Sequence, residues 1–238
     1  MSVKISLTGD IGSGKSTVAK ELIERTGFEK YSTGSAFRAL AAKMGMTVVE
    51  LNLYAQTHPE IDTGIDTASE RLSDDPRDLI IDSRMAWHFC RGTFKVYLSV
   101  SQHEAAKRIF ADKRDVETFP TVEMTEAKIA ERKQSENRRY KEMYGVDFYD
   151  MKNYDLVVDT TCVPASRAVD VILENLKLFS AGGFVRTVYM SPRRLVVAED
   201  QLPDTGDIVV SSENNLFTVV SGADRIKGDE DLVRALLV

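Results

Sequence analysis

Five short apolar runs, at 3–7, 28–31, 78–82, 95–100 and 155–159, alternate with stretches of helical periodicity. That alternation predicts a parallel α/β sheet, because a parallel strand pair needs a long crossover and a helix is its usual form. Helices near 35–56 and 61–73 fill the interval between the second and third runs and predict an insert there. Residues 112–124 are polar, contain Pro120 and separate two helical stretches, which predicts a hinge or lid tip. Past residue 180 the pattern changes. Ser180-Ala181-Gly182-Gly183 reads as a linker, and Phe184–Tyr189, Leu195–Val197, Ile208–Val210 and Leu216–Val220 as short strands. Asp229–Leu237 reads as a capped helix. Residues 184–238 would then form a small α+β domain, one that gains stability by docking on the larger part.

Composition narrows the class. Of the 238 residues 43% are hydrophobic and 29% charged, the balance of an ordinary globular protein. The net charge of −6 argues against a general nucleic-acid binder, which needs a broad excess of Lys and Arg, so any basic site must be local. No apolar run is long enough to span a bilayer, and Val3-Lys4-Ile5-Ser6-Leu7 turns polar too soon for a signal peptide, so a cytoplasmic protein with no membrane partner is expected. Cys90 and Cys162 lie far apart with no ligand spacing around them, and His58, His88 and His103 are scattered. Neither a zinc site nor histidine catalysis is expected.

Gly9-Asp10-Ile11-Gly12-Ser13-Gly14-Lys15-Ser16 matches G-x-x-x-x-G-K-[ST] between an apolar run and an amphipathic stretch. Its glycines turn backbone N–H groups onto phosphate oxygens, and the helix that follows adds the positive end of its dipole. Lys15 is expected to reach the β- and γ-phosphates of ATP or GTP, and Ser16 to place a hydroxyl on Mg²⁺. Asp10 is unusual: a carboxylate in a loop for polyanions either faces solvent or weakens nucleotide affinity.

Three further segments separate kinases from other P-loop proteins. In Tyr31-Ser32-Thr33-Gly34-Ser35-Ala36-Phe37-Arg38, Arg38 is a candidate clamp for an acceptor phosphate. Leu79-Ile80-Ile81-Asp82-Ser83-Arg84 is an apolar strand ending in an acid suited to ordering Mg²⁺-bound water, with Arg84 two residues on. Arg132-Lys133-Gln134-Ser135-Glu136-Asn137-Arg138-Arg139 concentrates guanidinium groups in an otherwise acidic chain.

Over about residues 1–178 the chain resembles the archaeal-type branch of the cytidylate kinase family. The resemblance rests on Ser32-Thr33-Gly34 with Phe37-Arg38, on Pro59-Glu60-Ile61-Asp62 with Ile65-Asp66, and on Arg84 with Ala86-Trp87. It rests also on Arg132, Glu136 and Arg139, and on Tyr144-Gly145-Val146-Asp147 with Tyr154 to Thr160. It implies an adenylate-kinase-like, three-layer P-loop fold over 1–179, with an acceptor-binding insert at about 34–75 and a lid at about 112–139. It also implies transfer of the γ-phosphate of ATP to CMP or dCMP with Mg²⁺. The donor would be bound by Gly9, Gly12, Ser13, Gly14, Lys15, Ser16 and Thr17, and the metal by Ser16 and Asp82. Thr33, Arg38, Arg84, Glu136 and Arg139 would bind the acceptor; Lys15, Arg84, Arg132 and Arg139 would be catalytic, with Arg108 and Arg114 as further lid-side candidates. Phosphoryl transfer needs little beyond such positioning and charge. The alternatives are a kinase for another monophosphate and a nucleotide-responsive regulator acting through its tail. That tail resembles partition-protein-B/sulfiredoxin-like domains at Met190-Ser191-Pro192 and Gly222-Ala223-Asp224-Arg225, and its ligand or partner is left open.

Overall fold

The computed structural model describes residues 2–55, 57–58, 60–112, 120–203, 206–213 and 216–238, with the backbone alone at 48, 49, 52, 53 and 62. Arg114, Pro59 and the Asp62 side chain therefore lie outside the described residues, as does most of the expected lid tip. The chain divides into two units, residues 1–8 with 15–95 and residues 9–14 with 96–238.

In the first unit, β1 (Lys4–Gly9) leads to α1 (Lys15–Thr26), β2 (Glu29–Ser32), α2 (Thr33–Lys43), α3 (Val48–Ala55), α4 (Glu60–Arg71), β3 (Leu79–Asp82) and α5 (Ala86–Phe89). β3 pairs in parallel with β1 on one side and β2 on the other, Ile80 lying opposite Ile5 and Lys30. Ile5, Leu7, Leu79, Ile80 and Ile81 are buried, as expected of parallel strands covered on both faces. The insert holds three helices where the periodicity suggested two. The break falls at Met44–Gly45, and Thr47 and Glu50 restart the helix as a reciprocal capping box: Thr47 N–H donates to Glu50 Oε2 (2.7 Å) and Glu50 N–H to Thr47 Oγ1 (3.2 Å). Ala41, Leu51 and Ile61 then pack into a small core of their own.

Ahead of β3, Asp75 accepts three hydrogen bonds from Arg77, from its backbone N–H and its Nε (2.9 Å each) and from Nη2 (2.7 Å). These bonds hold the Asp75 carboxyl down at about 2. Because the folded value is depressed, the stabilisation is present above the ordinary carboxylate value and is lost as pH falls through about 2. A carboxyl-carbon NMR titration should therefore show Asp75 titrating near 2 in the wild type and higher in Arg77→Ala, which loses the side-chain bonds but keeps the backbone N–H.

In the second unit, β4 (Phe94–Ser99) is followed by α6 (Gln102–Ala111), α7 (Val122–Tyr144), β5 (Leu156–Asp159) and α8 (Ala165–Ser180). Then come β6 (Thr187–Met190), β7 (Leu195–Val197), β8 (Val209–Glu213), β9 (Leu216–Ser221) and β10 (Val233–Leu237). Thr121 caps α7, its hydroxyl accepting from Met124 N–H (3.2 Å). α8 buries Ala168, Val169, Val171, Ile172 and Leu176, a stripe recurring every three to four residues. No helix among the described residues is long and apolar enough to cross a membrane.

Two expectations about the tail change. Ser180–Gly183 is the closing turn of α8, with Gly182 N–H bonded to Phe179 O (3.0 Å), and four residues later β6 pairs in parallel with β5. The tail from residue 184 onward belongs to the same compact unit as residues 96–183. The expected helix at Asp229–Leu237 is instead β10, antiparallel to β6 with Val233 opposite Met190. Val233, Ala235 and Leu237 are buried at a period of two, so the free edge of β6 outweighed the helical propensity of this segment. Gly222-Ala223-Asp224-Arg225 forms a tight turn, closed by Arg225 N–H on Gly222 O (3.1 Å).

Candidate functional site

In the first unit three of the chosen side chains gather at the carboxyl end of β3. Lys15 opens α1 and donates to Asp82, the last residue of β3, and Lys30 lies 3.4 Å from the other oxygen of that carboxylate. Arg84 is close enough for its charge to act on Lys15. Burial lowers the Lys15 pKa, opposed in part by Asp82 and reinforced by the charges of Arg84 and Lys30. For Asp82, burial favours the neutral acid, but the two lysines outweigh it and hold the carboxyl below its ordinary range. The result is three cations around one carboxylate, an excess of positive charge that suits a polyanion. Ser16 and Thr17 are exposed in the first turn of α1. Thr33 begins α2 and is half-buried, whereas Arg38 is exposed and bonds along its own helix to Ser35 Oγ (3.0 Å).

The second unit holds the arch of the loop. A Cβ at Gly9 would stand 2.4 Å from Leu98 O, so no other residue fits the backbone crossing there. Gly12 adopts φ 79°, and a Cβ there would stand 2.9 Å from Ala105. Asp10 does not face solvent, which corrects the solvent-facing expectation. Its side chain is 2% exposed and accepts from Lys133 Nζ (2.6 Å), Tyr97 Oη (2.9 Å) and Val100 N–H (3.1 Å). Burial, together with the Asp10 charge, pushes the Tyr97 phenol well up, so it stays a hydroxyl donor. Arg108 donates to Thr160 O (2.6 Å) and Gly12 O (3.4 Å), and Thr160 Oγ1 donates to Ser13 O (3.0 Å).

On α7 the basic run splits between faces. Arg132 is exposed and pairs with Glu136 one turn on (3.2 Å), while Arg139 lies over the Tyr140 ring (5.4 Å). Lys133, on another face, reaches Asp10. The structure thus brings together Lys15, Asp82 and Arg84 in one unit, and the arch with Arg108 in the other. It places Arg132, Glu136 and Arg139 along one side of α7.

Lys30, Lys133 and Thr160 escaped the sequence reading. Lys133 had a signal, its place in the basic run, but nothing in the sequence paired it with Asp10. Among the described residues no cluster of three or more His, Cys, Asp or Glu side chains forms a metal centre.

Residues 4–162 match the cytidylate kinase-like family. The chain is 33% identical over 178 residues to a cytidylate kinase of Thermoplasma volcanium, covering 73% of this chain and 91% of that one. It is 38% identical over 182 residues to an S-adenosylmethionine-dependent nucleotide dehydratase of Lacinutrix mariniflava, covering 76% of this chain but 37% of that protein. A shikimate kinase of Bacteroides thetaiotaomicron shares the fold, with a TM-score of 0.51 at 14% identity over 74% of this chain and 99% of its own. With its phosphate loop between β1 and α1 and two thirds of its length matched, the chain belongs to the cytidylate kinase-like family.

Proposed function

We propose that this kinase transfers the γ-phosphate of ATP to CMP or dCMP, acting in the cytoplasm. The observation that carries the reading is the cationic cluster at the end of β3, where Lys15, directly after the glycine arch, meets Asp82 beside Arg84. The backbone of Gly9, Gly12, Ser13 and Gly14, with Lys15, Ser16 and Thr17, holds the donor phosphates. Lys15 exchanges Asp82 for a phosphate oxygen when the nucleotide arrives. Arg38 and Arg84 offer forked donors to the acceptor phosphate, and Arg132 and Arg139 supply charge for the transferring group. Glu136, oriented by Arg132, accepts hydrogen bonds from the acceptor sugar. Thr33 supplies a hydroxyl for the pyrimidine edge, and with family membership it supports cytosine as the base.

The donor set at Ser16 and Asp82, one hydroxyl and one carboxylate, fits Mg²⁺, which takes its remaining ligands from phosphates and water. Bound there, the ion would offset phosphate charge.

The test is coupled ADP release with CMP, dCMP, UMP, AMP and GMP offered separately. Turnover confined to CMP and dCMP is expected, with kcat/KM for CMP about 10- to 100-fold lower in Arg84→Ala. Preference for another acceptor would move the assignment within the kinases. ATP binding without turnover of any acceptor would favour a nucleotide-responsive regulator, and intact CMP kinetics in Arg84→Ala would sink the clamp.

A further inference from the structure

The family match ends at residue 162, yet beyond the β5–β6 pairing the tail also grips the family core through buried side chains at the end of β5. Asp159, the last residue of β5, is fully buried. Its Oδ1 accepts from Thr161 N–H (3.0 Å), Thr161 Oγ1 (2.6 Å) and Arg194 Nη1 (2.8 Å), and its Oδ2 from Ser191 N–H (3.1 Å). Arg194 Nη1 also donates to Ser99 Oγ at the end of β4 (2.9 Å), and the Arg194 side chain is 14% exposed. Ser191 and Arg194 belong to the turn that leaves β6.

Asp159 is not an isolated anchor. The next residue, Thr160, braces the phosphate-loop arch: its Oγ1 donates to Ser13 O, and Arg108 joins Thr160 O to Gly12 O. A chain of hydrogen bonds therefore runs from the tail through Asp159 and the 160–161 turn to Gly12 and Ser13.

We propose that Arg194 is a positioning residue for the donor nucleotide, acting through Asp159 to hold the turn on which the arch rests. The tail is then a structural part of the donor side. A buried ion pair at this point fixes geometry more than it adds stability, because its Coulomb gain is offset by desolvation. Loosening it lets the 160–161 turn and the arch sample several positions, and ATP pays the cost of reordering them. The proposed acceptor groups Arg38 and Arg84 belong to the other unit of the chain.

The proposal rests on the donor role of the phosphate loop and not on turnover, so direct binding tests it. ATP affinity and stoichiometry would be measured by equilibrium dialysis, without acceptor, on the full chain and on Arg194→Leu and Arg194→Lys. Arg194→Leu is expected to bind ATP about tenfold more weakly at unchanged stoichiometry, with KM for ATP rising in parallel and KM for CMP within about twofold of wild type. Arg194→Lys, which keeps one charged donor, should fall between and covers the case in which the leucine variant does not fold. A reduced stoichiometry at unchanged Kd would reveal a purely structural role and overturn the proposal, as would unchanged Kd in both variants. Wild-type binding of ATP with no acceptor phosphorylated would defeat the kinase assignment while leaving this inference to stand on the Kd values. Absence of ATP binding by the wild type would defeat both.

Discussion

Lys15→Ala should abolish acceptor-dependent ADP release, lowering kcat by about 10²- to 10³-fold, the usual cost of removing one group aimed at charge developing in the transition state. The fold of the first unit should survive, because the variant frees Asp82 from a strongly coupled pair without stranding it: Lys30 stays 3.4 Å away and the carboxylate edges toward solvent, 11% exposed. The Asp82 pKa should then move upward, since its main stabilising partner is gone while burial still favours the neutral acid. Steady-state kinetics and a carboxyl titration on the same sample check both claims. Turnover within about threefold of wild type would remove Lys15 from the mechanism.

The largest stability effect is expected at a residue outside the proposed chemistry. Lys133→Met removes the 2.6 Å ion pair from the Asp10 carboxylate, whose side chain is 2% exposed and which also accepts from Tyr97 and Val100. Breaking a buried ion pair from one side costs about 3–5 kcal/mol, because the remaining charge stays desolvated. For a chain of this size that corresponds to a fall in Tm of about 10 °C. Neutralising the stranded group should recover much of the loss, so Lys133→Met with Asp10→Asn should melt well above Lys133→Met alone. The double variant separates charge from packing: a Tm no higher than that of the single variant would show that the lysine stem, not the ion pair, matters. Because Lys133 ties α7 to the arch and α7 also carries Arg132 and Arg139, the single variant should loosen the donor loop as well.

Where periodicity and local chemistry agree, the sequence was enough. The runs at 78–82 and 155–159 became β3 and β5 around the continuous apolar cores Leu79–Ile81 and Leu156–Val158, the mark of a strand covered on both faces, and the run at 3–7 became β1 around Ile5 and Leu7. Lys15 and Asp82 were legible as candidates for the same reason: the residue closing a glycine loop and the acid ending a parallel strand have positions set by backbone geometry. The break between α2 and α3 was also present, in Gly45 and the Thr47–Glu50 capping box, but apolar periodicity continued across it and masked it.

The sequence by itself determined the phosphate loop, the parallel α/β core and the family, all of which depend on contacts between near neighbours or on one strand reading as apolar. Only the tertiary structure decided which way Asp10 points, that Lys133 rather than solvent answers its charge, that 233–237 is a strand, and that Arg194 holds Asp159. Each of these joins residues far apart in the chain. Local sequence shows that such a group must be satisfied or such an edge covered, and packing alone supplies the partner.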